Sequence, residues 1–189
     1  MKGKNAMYND YNQYPNPYNN NNYPYPHCDN RPKDDCYPQC IDLRDYGPEP
    51  YVVNIEEATN QNYNFRLALW TGTHLQLTLM NINAREDIGL EMHPNVDQFI
   101  RIEEGQGLTL MGDSQDRLNY QQRVYPGYVI FIPAGKWHNL INVGCTPLKL
   151  YSIYAPPNHP RGTVQKTKED AEHHHHHHHH PHHDYHHDY

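Results

Sequence analysis

The chain has 189 residues, 36% of them hydrophobic, and a formal charge of −7 at pH 7. That charge is spread thinly, −2 over residues 1–50, −2 over 51–165 and −3 over 166–189, with no basic stripe to track phosphates, which argues against nucleic acid as a partner. The N-terminus lacks an apolar run and no segment could span a bilayer, so we expect no membrane partner and cytoplasmic synthesis.

Residues 1–50 hold eight of the sixteen prolines, along with many tyrosines and asparagines and few aliphatic side chains. Too little apolar surface is available there to offset the entropy of ordering, so the segment reads as a disordered tail. His27, Cys28, Cys36 and Cys40 offer four soft ligands, but their spacing matches no common zinc module. They read first as reduced or cross-linked thiols. Tyrosines and thiols are the side chains that oxidative chemistry joins, and the composition is similar to that of bacterial spore-coat and surface-layer proteins.

The folded part is expected over 51–165, enough for a single core. Asn54 with Glu57 three residues on reads as a helix start, and Asn60, Asn62 and Asn64 stop that helix early. Short β-rich runs then follow at 65–71, 75–82, 91–93, 98–102, 108–111, 123–125, 128–132, 138–142 and 148–154, separated by glycine- and asparagine-rich turns. Many short strands without a second helix predict an all-β sandwich or barrel. Alternation puts Gln76, Thr78 and Met80 on one face of their strand, and Gln98, Ile100 and Ile102 on one face of theirs. An amide in line with two isoleucines needs a partner or a metal ion.

Two segments carry a resemblance. The first runs from Gly89 through Glu91-x-His93 and Gln98 to Gly105, and the second reads Gly127-x5-Pro133-x-Gly135-x2-His138-x3-Asn142. Together they resemble the two motifs of the cupin family, whose first motif has a His-x-His pair, a Glu and a closing Gly. The second motif is matched at every fixed position. The resemblance implies a single jelly-roll (cupin) barrel over roughly 63–160 with a metal in its mouth. It is nearest to small single-domain bacterial cupins described as mannose-6-phosphate isomerase-like.

Carried over residue by residue, the resemblance implies metal ligands at Glu91, His93, Gln98 and His138. Glu91 takes a position the family fills with His, and Gln98 the position it fills with Glu. The swap keeps one carboxylate in the set, which still partly neutralises a divalent ion. Imidazole and carboxylate suit several metals. The loss of one imidazole favours Mn or Fe, with Zn, Ni, Co and Cu also open. Gln98 could instead hydrogen-bond Glu91 or a bound water.

Trp70 and Trp137 are read as core or rim aromatics, His74 as a turn residue and Cys145 as a core or loop residue. His159 and Arg161 stand in a Pro-rich loop after the last strand, where they could close over the barrel mouth and hold an anionic substrate. A plain surface loop is the alternative. Residues 166–189 read as a disordered His-rich tail. The uninterrupted histidines of 173–180 continue into a repeated His-His-Asp-Tyr unit, which suits a native metal-collecting tract better than a tag.

Two functions follow from this reading. One is a metal-dependent enzyme, of isomerase type, on a small oxygen-rich substrate such as a sugar, sugar phosphate or sugar acid. The other is a structural or metal-binding component of a spore coat or cell-surface layer. Partners open to the chain are the small substrate, a second copy in a homodimer, and surface-layer proteins met through the tails.

Overall fold

A computed structural model of the protein describes residues 40–176. The expectations for Cys28, Cys36, most of the N-terminal segment and the end of the histidine tract fall outside the described residues.

The first helix forms where its cap predicts. In α1 (Ile55–Gln61) the Asn54 Oδ1 accepts from the Glu57 N–H at 3.3 Å. The helix ends because Asn62 turns to local bonds, donating from Nδ2 to the Asn64 carbonyl at 2.9 Å and accepting the Asn64 N–H at 3.0 Å.

The chain then lays down β1 (Arg66–Thr71), β2 (Gln76–Ile82), β3 (Asp97–Glu104), β4 (Gly107–Gly112), β5 (Tyr120–Val124), β6 (Val129–Ile132), β7 (Trp137–Asn142), β8 (Leu148–Ala155) and β9 (Val164–Gln165). The strands pair antiparallel in two sheets, one ordered β6-β3-β8-β2-β1-β9 and one ordered β5-β4-β7. This is the jelly-roll arrangement of an all-β barrel. Gly105 closes the β3–β4 turn with φ +90, and a Cβ there would lie 2.6 Å from the Pro147 carbonyl oxygen. Only glycine meets both demands.

Between the sheets lies a cluster that includes Met80, Ile82, Ile100, Ile102, Leu140 and Leu150. The six-stranded sheet is apolar on its other face as well. Leu67, Leu69 and Leu79 point outward and are covered by Ala58 of α1 and by Ile41, Leu43 and Tyr46. Each fully buried leucine contributes about 1.5–3 kcal/mol relative to exposure. That outer layer fixes the register: it commits the leucines of β1 and β2 outward, and therefore Arg66, Gln76 and Thr78 inward.

The boundaries expected at 51 and 165 are both too tight. Residues before 51 belong to the fold, since the Tyr46 N–H donates to the Leu69 carbonyl at 2.9 Å and Asp45 accepts from Thr71 Oγ1 at 2.6 Å and the Gly162 N–H at 2.9 Å. After 165 comes a second helix, α2 (Lys168–His176), where an unstructured tail was expected. Asp170 Oδ2 accepts from the N–H groups of Lys166 and Thr167, at 2.9 and 3.1 Å, and Ala171 enters the interior cluster. The run expected at 91–93 shrinks to one bridge, Glu91 opposite His138, and β9 was not anticipated.

An ion pair, Lys168 Nζ to Asp87 Oδ1 at 2.6 Å, holds α2 to the barrel. Burial opposes ionisation of Asp87, but the Lys168 ammonium and the Gly89 N–H outweigh it and hold the carboxyl below its usual range. A carboxyl depressed in the folded state contributes stability above its unfolded pKa and loses it as pH falls through the lower folded value. Asp87→Asn should therefore cost about 1 kcal/mol at pH 7. The deficit should shrink below about pH 4 as the wild-type carboxyl protonates. Urea unfolding at pH 7 and pH 3 measures both.

Candidate metal centre

The centre starts from backbone pairing. Glu91 donates its N–H to the His138 carbonyl at 3.0 Å and accepts the His138 N–H at 2.9 Å. Residues that exchange both bonds in an antiparallel pair put their side chains on the same face. His93 lies two residues on, and its carbonyl accepts the Gly135 N–H at 2.7 Å. Gly135 belongs to the turn before β7, has φ +79, and is held further by Ala134 donating to Asp97 Oδ1 at 2.9 Å. The turns of the two motifs thus grip one another, and three side chains converge.

Glu91 Oε1 is 3.4 Å from His93 Nε2 and 3.3 Å from His138 Nε2. One ligand atom from each of the three residues can be chosen so that all lie within 4.8 Å of one another. None of these three atoms, all buried, has a hydrogen-bond partner among the described residues. His138 Nδ1 lies 2.9 Å from the Lys136 carbonyl oxygen. A proton on Nδ1 donates there and leaves the Nε2 lone pair facing Glu91, the tautomer a metal ligand requires. Three orphaned, converging donors of mixed nitrogen and oxygen type fit a divalent metal ion.

Burial opposes the Glu91 charge. Where the Nε2 atoms of His138 and His93 carry protons, those N–H groups and the positive field of Arg66 outweigh it, holding the carboxyl far below the usual carboxylate range. The site therefore presents an anionic oxygen at neutral pH.

Gln98 is 3% exposed on the interior face of β3, as the alternation predicted. Its Nε2 donates to Ser152 Oγ at 2.9 Å, which leaves Oε1 without a partner. Tyr154 is fully buried, with its ring edge-on to His93 at 5.9 Å and to His159 at 5.0 Å between centroids. His159 is more than a surface-loop residue. Its backbone exchanges two bonds with the Gln76 amide, at 2.9 and 3.0 Å, and its ring covers Tyr154. Arg161 is exposed, as a loop residue would be.

Trp70 and Trp137 are half-buried, with Trp70 Nε1 donating to the Glu49 carbonyl at 2.8 Å. His74 is exposed beyond β1, and Cys145 is exposed between β7 and β8. Sequence reasoning missed Arg66, Thr78, Ser152 and Tyr154 as interior polar groups. The alternation of β8, which runs Leu150, Ser152, Tyr154 on one face, carried the signal for two of them.

With the histidine tract removed, a chain spanning 40–172 should take up about one divalent ion. His93→Ala or His138→Ala should abolish that uptake, because each removes a strong donor. Elemental analysis after dialysis reads the result, and folding is checked by circular dichroism.

Residues 78–154 match the Cupin domain family. The chain is 66% identical over 129 residues to YrkC, an uncharacterised protein of Bacillus subtilis (strain 168), covering 68% of this chain and 69% of that one. It is 44% identical over 115 residues to an uncharacterised protein of Acanthamoeba polyphaga mimivirus, covering 60% of this chain and 70% of the relative. The crystal structure of BH2720 from Bacillus halodurans superposes with a TM-score of 0.68 at 61% identity, over 69% of this chain and 98% of that one. Motifs, topology and relatives agree that the chain belongs to the cupin superfamily.

Proposed function

We propose that the protein is a metal-dependent cupin that acts on a small, oxygen-rich molecule in the interior of its barrel, with an isomerase-type proton transfer as the reaction. The observation that carries this reading is the set of three converging, unpartnered donor atoms on Glu91, His93 and His138. Gln98 supplies a fourth, neutral donor through its free Oε1, from the opposite sheet. A divalent ion held there would supply Lewis acidity toward carbonyl and hydroxyl oxygens, with Mn or Fe favoured because an oxygen donor takes the place of one imidazole.

The chain's own residues shape the rest. Tyr154 packs its ring edge-on against His93, and the His159 ring packs in turn against Tyr154. Ser152 holds the Gln98 amide by accepting from its Nε2, which leaves Oε1 unpartnered. The Lys136 carbonyl can accept a proton from His138 Nδ1, which would leave Nε2 as a metal donor.

Elemental analysis joined to a screen of sugars, sugar acids and sugar phosphates tests the proposal, and a folded barrel without metal after reconstitution would sink it. Gln98→Ala should weaken metal binding less than either histidine change, because water replaces an amide oxygen. Gln98→Glu should tighten the metal and lower turnover, since a second carboxylate quenches the ion's electrophilicity. Competition with a chromogenic chelator gives the affinities, and unchanged or raised turnover in Gln98→Glu counts against an electrophilic role.

A further inference from the structure

β1 places a charge where the interior offers it little. Arg66 is 2% exposed on the inner face of the six-stranded sheet. Its Nη1 donates to Gln165 Oε1 at 2.9 Å, which fixes the guanidinium, but its Nε has no acceptor among the described residues. Two hydroxyls of the same interior face, on Tyr154 and Thr78, also lack a well-formed hydrogen bond although both residues are fully buried, and that of Tyr154 lies near Arg66 and Ser152. An unpaired buried polar group costs about 1–3 kcal/mol, and more when charged. Three of them on one face form a set of polar groups that a bound acceptor would satisfy.

Space and charge point the same way. A cleft of about 250 Å³, lined by Arg66, Leu90, Glu91 and Lys168 among others, reaches the interior polar set at Arg66 and the metal donors at Glu91. That lies below the usual range for drug-sized ligands, so it suits a small molecule. Lys168 is already tied to Asp87 and Glu172. Arg66 acts electrostatically on both Glu91 and Tyr154. In the chain alone Glu91 offsets Arg66. Once Glu91 is committed to a divalent ion, the interior holds surplus positive charge in a low-dielectric setting.

We infer that the ligand of this site is a small organic acid, its carboxylate held by Arg66 Nε and the Tyr154 and Thr78 hydroxyls, with a neighbouring hydroxyl or carbonyl oxygen facing Glu91, His93 and His138. The inference rests on the proposed function and narrows its substrate to hydroxy- or keto-carboxylates. One charged N–H flanked by two hydroxyls suits a planar carboxylate, whereas a phosphate calls for more charged donors.

The test is calorimetric titration of the full chain, loaded with Mn(II), with glycerate, with its neutral counterpart glycerol, and with inorganic phosphate. Glycerate should bind at least about ten-fold tighter than glycerol. Arg66→Met should erase that preference and Arg66→Lys should keep part of it, and since both variants retain the histidine tract, any contribution from ions bound there cancels. Tyr154→Phe should weaken glycerate binding while leaving the free protein as stable or more so, because it deletes an unpartnered buried hydroxyl. Should Arg66→Met fail to fold, Tyr154→Phe and Thr78→Val carry the same comparison.

Equal binding of glycerate and glycerol overturns the inference, as does a preference unchanged in the variants or phosphate binding tighter than glycerate. If the barrel takes up no metal, the proposed function fails by itself. Glycerate binding by the metal-free chain then decides the inference, supporting it when it depends on Arg66 and overturning it when it does not.

Discussion

The two hydrogen bonds exchanged between the backbones of Glu91 and His138 set the geometry on which the rest of the site depends. They form a single bridge from Glu91, outside any strand, to β7, yet they fix a carboxylate beside an imidazole with a side-chain separation that no long loop could hold. His93 follows from the same pairing by the two-residue alternation, and the grip of its carbonyl on Gly135 locks the second motif's turn to the first. Breaking that bridge would cost more than pairing, because three donors would lose their common focus.

A second constraint is the clothing of the six-stranded sheet on both faces. Leucines that would fill a barrel interior are spent outward, under α1 and the segment from Ile41 to Tyr46. The interior is therefore left with Arg66, Gln76, Thr78, Gln98 and Ser152 near the site and with isoleucines and leucines below it. Satisfied amides such as Gln76, which exchanges bonds with His159, rigidify this polar end. The unsatisfied groups are the ones on which the proposed ligand would close.

Much of this was legible in the sequence. The strands were readable because alternation and turn residues agreed, and eight of the nine expected runs correspond to observed strands. The second motif gave His138 directly, and the two-residue spacing gave Glu91 and His93 a common face. What escaped depends on tertiary contacts. Arg66 alternates with Ala68 and Trp70, a pattern that by itself reads as a solvent-facing edge; only the outer cover on Leu67 and Leu69 turns it inward. The sequence of α2 is almost wholly polar, and its helix depends on Ala171 and on Lys168 reaching Asp87. The residues before 51 looked too rich in proline and tyrosine to fold, yet Ile41, Leu43 and Tyr46 suffice because the sheet already offers a matching apolar face.

The division of the site between the sheets has a mechanical consequence. Glu91 and His138 are attached to the three-stranded sheet, whereas Arg66, Gln98 and Tyr154 ride on the six-stranded one. The packing between the sheets is thus the ruler that spaces the two halves. Protein interiors are as dense as molecular crystals and transmit small displacements rather than absorbing them. A methylene removed from Leu140 or Ile100, neither of them a donor, would let the halves slide and detune the distance between cation pocket and guanidinium. Selection on the proposed chemistry would then act through the sizes of aliphatic side chains that stand apart from the donor atoms.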